Sequence, residues 1–304
     1  MPDALKAILA AFGPLVPARF RGDVPVVPVV RLSGVIGAAM PLRPGLGIAG
    51  LAKLLERAFA VRNARAVALV INSPGGAPAQ SHLIFRRVRQ LAEEKKLPVL
   101  AFVEDVGASG GYMLACAADE IIADPFSIVG SIGVVSGGFG FEKLMDKIGI
   151  ERRLYSSGER KAMLDPFLPE KPEDVKRLKA IQKDIHEQFI ALVKARRGGK
   201  LNGADKTLFS GEFWTAQHAQ ELGLIDQIGE LRATLRARYG EKVKLQLISP
   251  ERGFFARRIP GLAALVSRQS AGQSAGLGAG LGAGLAAELI SALEERAIWS
   301  RYGL

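Results

Sequence analysis

Two short runs without a polar side chain, residues 66–71 (AVALVI) and 99–103 (VLAFV), constrain this chain more than any other feature. Each has the length of a strand. A strand that is apolar at every position must bury both faces, the condition found inside a parallel sheet. Helical spacing precedes each run: Leu51, Leu54, Leu55 and Ala58 before the first, and Leu83, Ile84, Val88 and Leu91 before the second. A further strand is expected within residues 24–36, starting near Val29 because Pro25 and Pro28 interrupt what comes earlier. Strand and helix in alternation give βαβ units, and so an α/β protein with a mostly parallel sheet and right-handed crossovers.

The second run leads to a serine. Pro98 opens it, Gly107 is expected to break it, and residues 112–118 are compact and alanine-rich, as a buried helix would be. Ser109 therefore falls at a strand-to-helix corner. Glycines 107, 110 and 111 present no β-carbon to an approaching substrate, and a helix start offers unpaired N–H groups suited to a developing oxyanion. The same residues also fit a serine N-cap on a glycine-softened helix.

Composition narrows the chemistry. The 304 residues are 48% hydrophobic and 23% charged, enough for one large core. With one cysteine (Cys116) and three histidines, neither an internal disulfide nor a Cys₄ or Cys₂His₂ zinc site can form, and no metal or cofactor is expected. The net charge of +11 is concentrated in residues 231–268, which hold nine Lys or Arg against Glu241 and Glu251. With aromatics at 7% and no nucleic-acid motif, that segment suits an anionic membrane surface better than DNA or RNA.

Residues 4–18 are shorter than the roughly 20 apolar residues of a spanning helix and carry Lys6 and Pro14. They read as an amphipathic arm, with no recognisable signal peptide or membrane span. After residue 261 the chain turns Gly/Ala-rich, and a terminal amphipathic helix is expected from about Ala286, with Leu289, Ile290, Leu293, Ile298 and Trp299 on one side. The resulting division is an arm (1–23), a main domain (24–250) and a basic, Gly/Ala-rich tail (251–304).

Between these limits the pattern predicts short strands at 120–122 and within 127–135, a short helix at 141–148 and a strand at 152–155. A loop at 156–172 contains Lys161. Val175, Leu178, Ile181, Ile185, Phe189 and Val193 mark one long amphipathic helix, ended by Gly198 and Gly199. A helix through Phe213, Trp214, Ala219 and Leu222 follows, then an extended piece at 224–225 and an alternating strand at 242–248.

Residues 107–111 (GASGG) formally match the G-x-S-x-G elbow, which calls for a histidine and an acid downstream. Only His186 and His218 follow, each more simply a partly exposed helix residue. A serine can instead be activated by an uncharged lysine. An ordinary lysine, with a pKa of about 10.4, is protonated near neutrality, so such a base needs water excluded around it.

Five motifs in order sharpen this picture: SPGG (73–76), ASGGYMLA (108–115), SIVGSIGVV (127–135), GERKAMLDPF (158–167) and FWTAQHAQELGLID (213–226). Together, over roughly residues 29–230, they resemble the signal peptide peptidase A and SohB family of serine proteases. The resemblance implies a Clp-protease/crotonase-like fold and a Ser/Lys dyad, with Ser109 as nucleophile and Lys161 as general base. It implies an oxyanion hole from Gly76 and the Ser109 N–H, and a substrate groove along Gly75, Gly110, Gly111, Gly130 and Ser131. It further implies extended apolar peptides, such as released signal peptides, as substrates, no cofactor, a ring of identical subunits, and a peripheral inner-membrane or cytoplasmic location in bacteria. With one serine motif and one lysine motif per chain, the dyad is expected to form between neighbouring subunits. Two other classes of function compete. A crotonase-type acyl-CoA enzyme would use Gly76 but give Ser109 and Lys161 no role, and a non-catalytic membrane scaffold would use only the basic segment and tail.

Overall fold

Neighbouring residues of the central strands go to opposite sides of one sheet. In the computed structural model, which describes residues 24–37, 45–158, 160–249 and 296–303, β1 (Val26–Ser33), β2 (Val67–Ser73) and β3 (Val99–Ala108) lie side by side and parallel. Leu69 and Ile71 of β2 join one apolar cluster with Leu32 of β1 and Val103 of β3, whereas Ala68 and Val70 join another with Val29 and Phe102. Period-two geometry divides an unbroken apolar run between two cores.

Helices cover both faces. On the first, α1 (Ile48–Phe59) contributes Leu51, Leu54 and Leu55, and α2 (Pro78–Lys95) contributes Ile84, Val88 and Leu91. The short α3 (Gly110–Ala115), which follows β3, is buried along its whole length. Further on come β4 (Glu120–Ala123) and β5 (Ile128–Gly130), both parallel to β3, then α4 (Glu142–Ile148), the long α5 (Pro172–Arg197) and α6 (Asp205–Leu208). β6 (Phe213–Thr215) pairs antiparallel with β5 and leads into α7 (Ala216–Glu221), and β7 (Gln227–Ile228) pairs with β4. The second face is closed by Leu235 of α8 (Leu231–Tyr239), after which β8 (Lys244–Leu247) extends the sheet beyond β1. The main path runs β6-β5-β3-β2-β1-β8, with only β6 antiparallel, which makes the mostly parallel α/β sheet that the sequence pattern predicts.

Several expectations change. Gly107 does not end β3: the strand continues to Ala108, and a β-carbon at 107 would lie 3.0 Å from both γ-carbons of Val103, so the glycine serves packing within the strand. β1 begins at Val26 rather than near Val29, with Pro28 inside it. Phe213 and Trp214 are strand, not helix, because β5 offers them a pairing edge. Residues 152–155 form no strand; they are exposed, and no described strand pairs with them. Of the apolar stripe on α5 only Phe189 and Val193 are buried, and Ile181 is 42% exposed. α8 and β8 also absorb part of the basic segment, with Arg238 held by two hydrogen bonds to the Glu120 carboxylate. The expected arm at 1–23 and the helix start near 286 lie outside the described residues.

Candidate active site

A cluster of unusual backbone torsions surrounds Ser109. Ser109 itself sits at φ 52°, ψ −120°, Ser131 at φ 54°, and Gly75, Gly76 and Gly130 at φ 105°, 142° and 112°. For a serine such values cost on the order of 1–3 kcal/mol, sustained here by the sheet on one side and a buried helix on the other. The strain turns β3 abruptly into α3 and leaves Ser109 half-buried between fully buried neighbours.

Close approach explains the glycines. A β-carbon on Gly75 would lie 2.8 Å from the β-carbon of Ser109 and 2.8 Å from the Gly110 nitrogen, so the SPGG turn touches the serine corner directly. A β-carbon on Gly76 would collide with the Ile36 backbone, one on Gly110 with Ser81 Oγ and one on Gly111 with the Ser73 carbonyl oxygen. The turn is pinned from outside: Ile36 N–H donates to the Gly75 carbonyl at 2.8 Å, and Ala77 N–H donates to the Ile36 carbonyl at 2.8 Å. Ser73 is structural, its buried hydroxyl donating to the Gly34 carbonyl at 2.7 Å and accepting from Gly75 N–H.

The two expected oxyanion donors differ. Gly76 N–H has no partner among the described residues. Ser109 N–H, by contrast, donates to the Gly130 carbonyl at 2.8 Å as part of the β3–β5 pairing. The donor left unpaired beside it is Gly110 N–H, at the first position of α3. The β3–β5 register was the missing information, because sequence shows that a helix starts here but not which N–H the neighbouring strand consumes.

Lys161 lies elsewhere. It is exposed, in the segment between α4 and α5, and lines a surface cavity of about 590 Å³ with Arg152, Leu154, Tyr155 and Met163. Neither Ser109 nor Gly76 lines that cavity, and the Lys161 ammonium has no carboxylate partner among the described residues. Met163 and Leu164 share its cavity, while Phe167 packs on Phe141 with ring centroids 5.5 Å apart. The chain thus brings together Ser109, Gly75, Gly76, Gly110, Gly111, Gly130 and Ser131, and not Lys161. The histidines do not replace it: His186 Nε2 is 2.9 Å from the Ile132 carbonyl oxygen, and His218 is exposed, edge-on to Trp214. No group of His, Cys, Asp and Glu able to hold a metal occurs among the described residues.

A serine on a strained corner, next to turns whose Gly76 and Gly110 N–H groups have no partner among the described residues, suits a serine hydrolase. The comparisons with known proteins narrow the class. The family model described as Peptidase family S49 matches residues 91–245, a span from α2 into β8 that includes Ser109 and Lys161. A putative protease of Synechocystis is 34% identical over 63% of this chain and 70% of its own length, and a probable SohB protease of Buchnera aphidicola is 34% identical over 54% and 47%. The chain belongs to peptidase family S49.

A protein of Brucella abortus named Na(+)/H(+) antiporter NhaA is 55% identical over 95% of this chain. The chain spans only 38% of that longer protein, and no described helix is long and apolar enough to cross a membrane. Two structures of a 1510-N membrane-bound stomatin-specific protease overlay at 17% identity with a TM-score of 0.47, covering 75% and 81% of this chain and 99% of each of those chains.

Proposed function

We propose that this chain is a serine endopeptidase in which Ser109 is the nucleophile and Lys161 of a neighbouring copy is the general base. The observation that carries the reading is the Ser109 corner itself, a strained serine beside the unpaired N–H groups of Gly76 and Gly110. In the reaction the Ser109 hydroxyl oxygen attacks the scissile carbonyl carbon while its proton passes to the uncharged Lys161 amine. The carbonyl oxygen, now negative, accepts hydrogen bonds from Gly76 and Gly110. Collapse breaks the C–N bond, and the lysine ammonium returns the proton to the leaving amine. Water then cleaves the Ser109 ester by the same steps in reverse. Each oxyanion donor in such a site is worth about 3 kcal/mol.

Two features support a base supplied by a second copy. Among the described residues no hydrogen bond joins Lys161 to Ser109 and Ser109 does not line the Lys161 cavity, and an exposed lysine is a poor base until something covers it. Tyr155, which lines the same cavity, is 90% exposed, and Val135, Phe139 and Ile150, elsewhere in the stretch between β5 and α5, are 68%, 77% and 55% exposed, apolar surface of the kind that marks an interaction site. A ring of identical subunits would bury that surface and bring Lys161 to the next subunit's serine. The substrates we assign are extended, apolar peptides such as released signal peptides, laid along the turns that carry Gly75, Gly110, Gly111, Gly130 and Ser131. The basic residues of the 231–268 segment suit a peripheral seat on an anionic membrane.

The test is labelling by a fluorophosphonate probe. The wild-type protein is expected to be labelled and to hydrolyse an apolar peptide, and Ser109→Ala to do neither while keeping its melting temperature. Labelling that survives the substitution would end the assignment.

A further inference from the structure

The helix that begins beside the nucleophile is held at its far end by two arginines from distant parts of the chain. α3 runs only from Gly110 to Ala115, and the chain then turns tightly, Ala117 N–H donating to the Leu114 carbonyl and Ala118 N–H to the Ala115 carbonyl. The next three carbonyls, those of Cys116, Ala117 and Ala118, lie past the last turn, where a helix has no N–H of its own to offer. Guanidinium groups take all three. Arg196, near the end of α5, donates from Nε to the Cys116 carbonyl and from Nη2 to the Ala118 carbonyl, each at 2.9 Å, and Arg89 of α2 donates from Nη1 to the Ala117 carbonyl at 3.2 Å.

Asp119 ties the two together. Its Oδ1 accepts from Arg89 at 2.8 Å and from Arg196 at 3.3 Å, and its Oδ2 accepts from the Val99 N–H, where β3 begins, at 2.9 Å. The arginine side chains are 19% and 26% exposed, so these contacts are largely out of water, unlike ordinary surface ion pairs. Neither arginine hydrogen-bonds to Ser109 or lines the Lys161 cavity. Their reach toward the reaction runs through α3. Six residues make a helix of about 9 Å, short enough to move as one piece, so its start stays in place only if its end does. That start carries Gly110 N–H and directly follows Ser109.

We propose that Arg196, with Arg89 as the lesser partner, is a positioning residue of the peptidase: the pair sets where α3 lies, and so where Ser109 Oγ and Gly110 N–H meet the scissile carbonyl. The inference rests on the reading of Ser109 as nucleophile and Gly110 N–H as oxyanion donor. Arg196 carries more of the effect because its planar fork takes two carbonyls at once and fixes direction as well as distance, whereas Arg89 takes one. The negative oxygen exists only after attack. A displaced donor therefore weakens the transition state more than the bound substrate, and lowers kcat while leaving KM in place. A tie that served stability alone would change how much protein is folded and nothing per folded site.

The experiment compares full-length proteins well below their melting temperatures, with active sites counted by fluorophosphonate labelling carried to completion. Arg196→Ala should lower kcat for an apolar peptide about tenfold per labelled site and leave KM within about twofold. It should weaken inhibition by a peptide aldehyde, whose hemiacetal oxygen takes the oxyanion position, by the same factor. Arg196→Lys, which can reach one carbonyl but not both, should recover part of the loss, and Arg89→Ala should cost about threefold. A second arm needs no hydrolysis. The Met113 N–H donates to the Ser109 carbonyl at 3.0 Å, and in Arg196→Ala its hydrogen exchange should quicken about tenfold relative to amides of β2. Unchanged kcat per labelled site, a rise in KM alone, or aldehyde inhibition that stays put while kcat falls would each overturn the proposal, as would Met113 exchange that moves only in step with β2. If no protein cleaves peptide but the exchange difference persists, the clamp on α3 stands and the endopeptidase reading falls.

Discussion

The serine and lysine sides of the site are built in opposite ways. Around Ser109 the helix α3 and the flanking residues of β3 and β5 are buried, the torsions are strained, and the SPGG turn packs against the corner. Around Lys161 the chain is irregular and exposed, α4 buries no residue, and the apolar side chains nearby face outward. One side is a finished half-site that the sheet enforces. The other is held by a few local contacts, Phe167 on Phe141 and Arg152 on Asp165, and is the side that the proposed neighbouring copy would cover.

If the contrast is right, the largest effects fall on the dyad. Lys161→Ala should lower peptide hydrolysis about 10⁴-fold, near the loss from Ser109→Ala. Lys161→Arg should be as inactive, because a guanidinium remains protonated and cannot take the serine proton. An active arginine variant, assayed under the same conditions, would reduce Lys161 to a substrate-binding residue.

A sharper measurement separates a shared site from one completed within the chain. Ser109→Ala and Lys161→Ala proteins, each inactive, are mixed under conditions that allow subunits to exchange. Some interfaces then pair an intact Ser109 with an intact Lys161, and part of the activity should return. No recovery despite exchange, followed by mass spectrometry of differently labelled subunits, would mean the dyad forms in one chain.

On the finished side, stability rather than chemistry is at stake. Arg197 at the end of α5 is 3% exposed, donates to Asp226 Oδ2 at 2.6 Å and to the Gly223 carbonyl, and thereby ties the long helix to the segment that pairs with β4. Burial pushes the Asp226 carboxyl up, but its hydrogen bonds from Arg197, Lys200 and the Ile121 N–H outweigh that and hold it below the ordinary carboxylate range. Arg197→Met should cost about 3 kcal/mol in urea unfolding at pH 7. A lowered folded-state pKa stabilises above the unfolded value of about 3.9 and is lost as pH falls through the folded one. Wild type should therefore lose this increment below about pH 4, and the variant should show a flatter acid limb.

Smaller effects are expected where other chemistry could hide. His186→Gln and His218→Gln should each leave kcat/KM within a few-fold, and a collapse in either would restore a Ser-His reading. Cys116 is fully buried, and burial pushes its thiol up to about 12. It should not react with a disulfide reagent at pH 8 in the folded protein and should react at once in urea. Reaction in the folded state would show that the helix after Ser109 opens, contrary to the rigidity claimed for that side.

The sequence alone determined the sheet interior and singled out Ser109 as the candidate nucleophile. The runs at 66–71 and 99–103 have strand length and no polar side chain to face water, which marks them as buried strands. Glycines on either side of Ser109 marked the place where backbone comes close to backbone. Tertiary structure decided what depends on neighbours distant in the chain. The β3–β5 register took the Ser109 N–H and left that of Gly110, Gly107 turned out to be packed against Val103 rather than to break the strand, and β5 made a strand of Phe213–Thr215. The docking of Tyr302 beside Pro74 and Ser131, more than 170 residues apart from either by sequence position, has no local signal at all. Local pattern reports how a residue meets water and its own helix or strand, and it carries no record of which remote atom will use the last free hydrogen bond or fill the last recess.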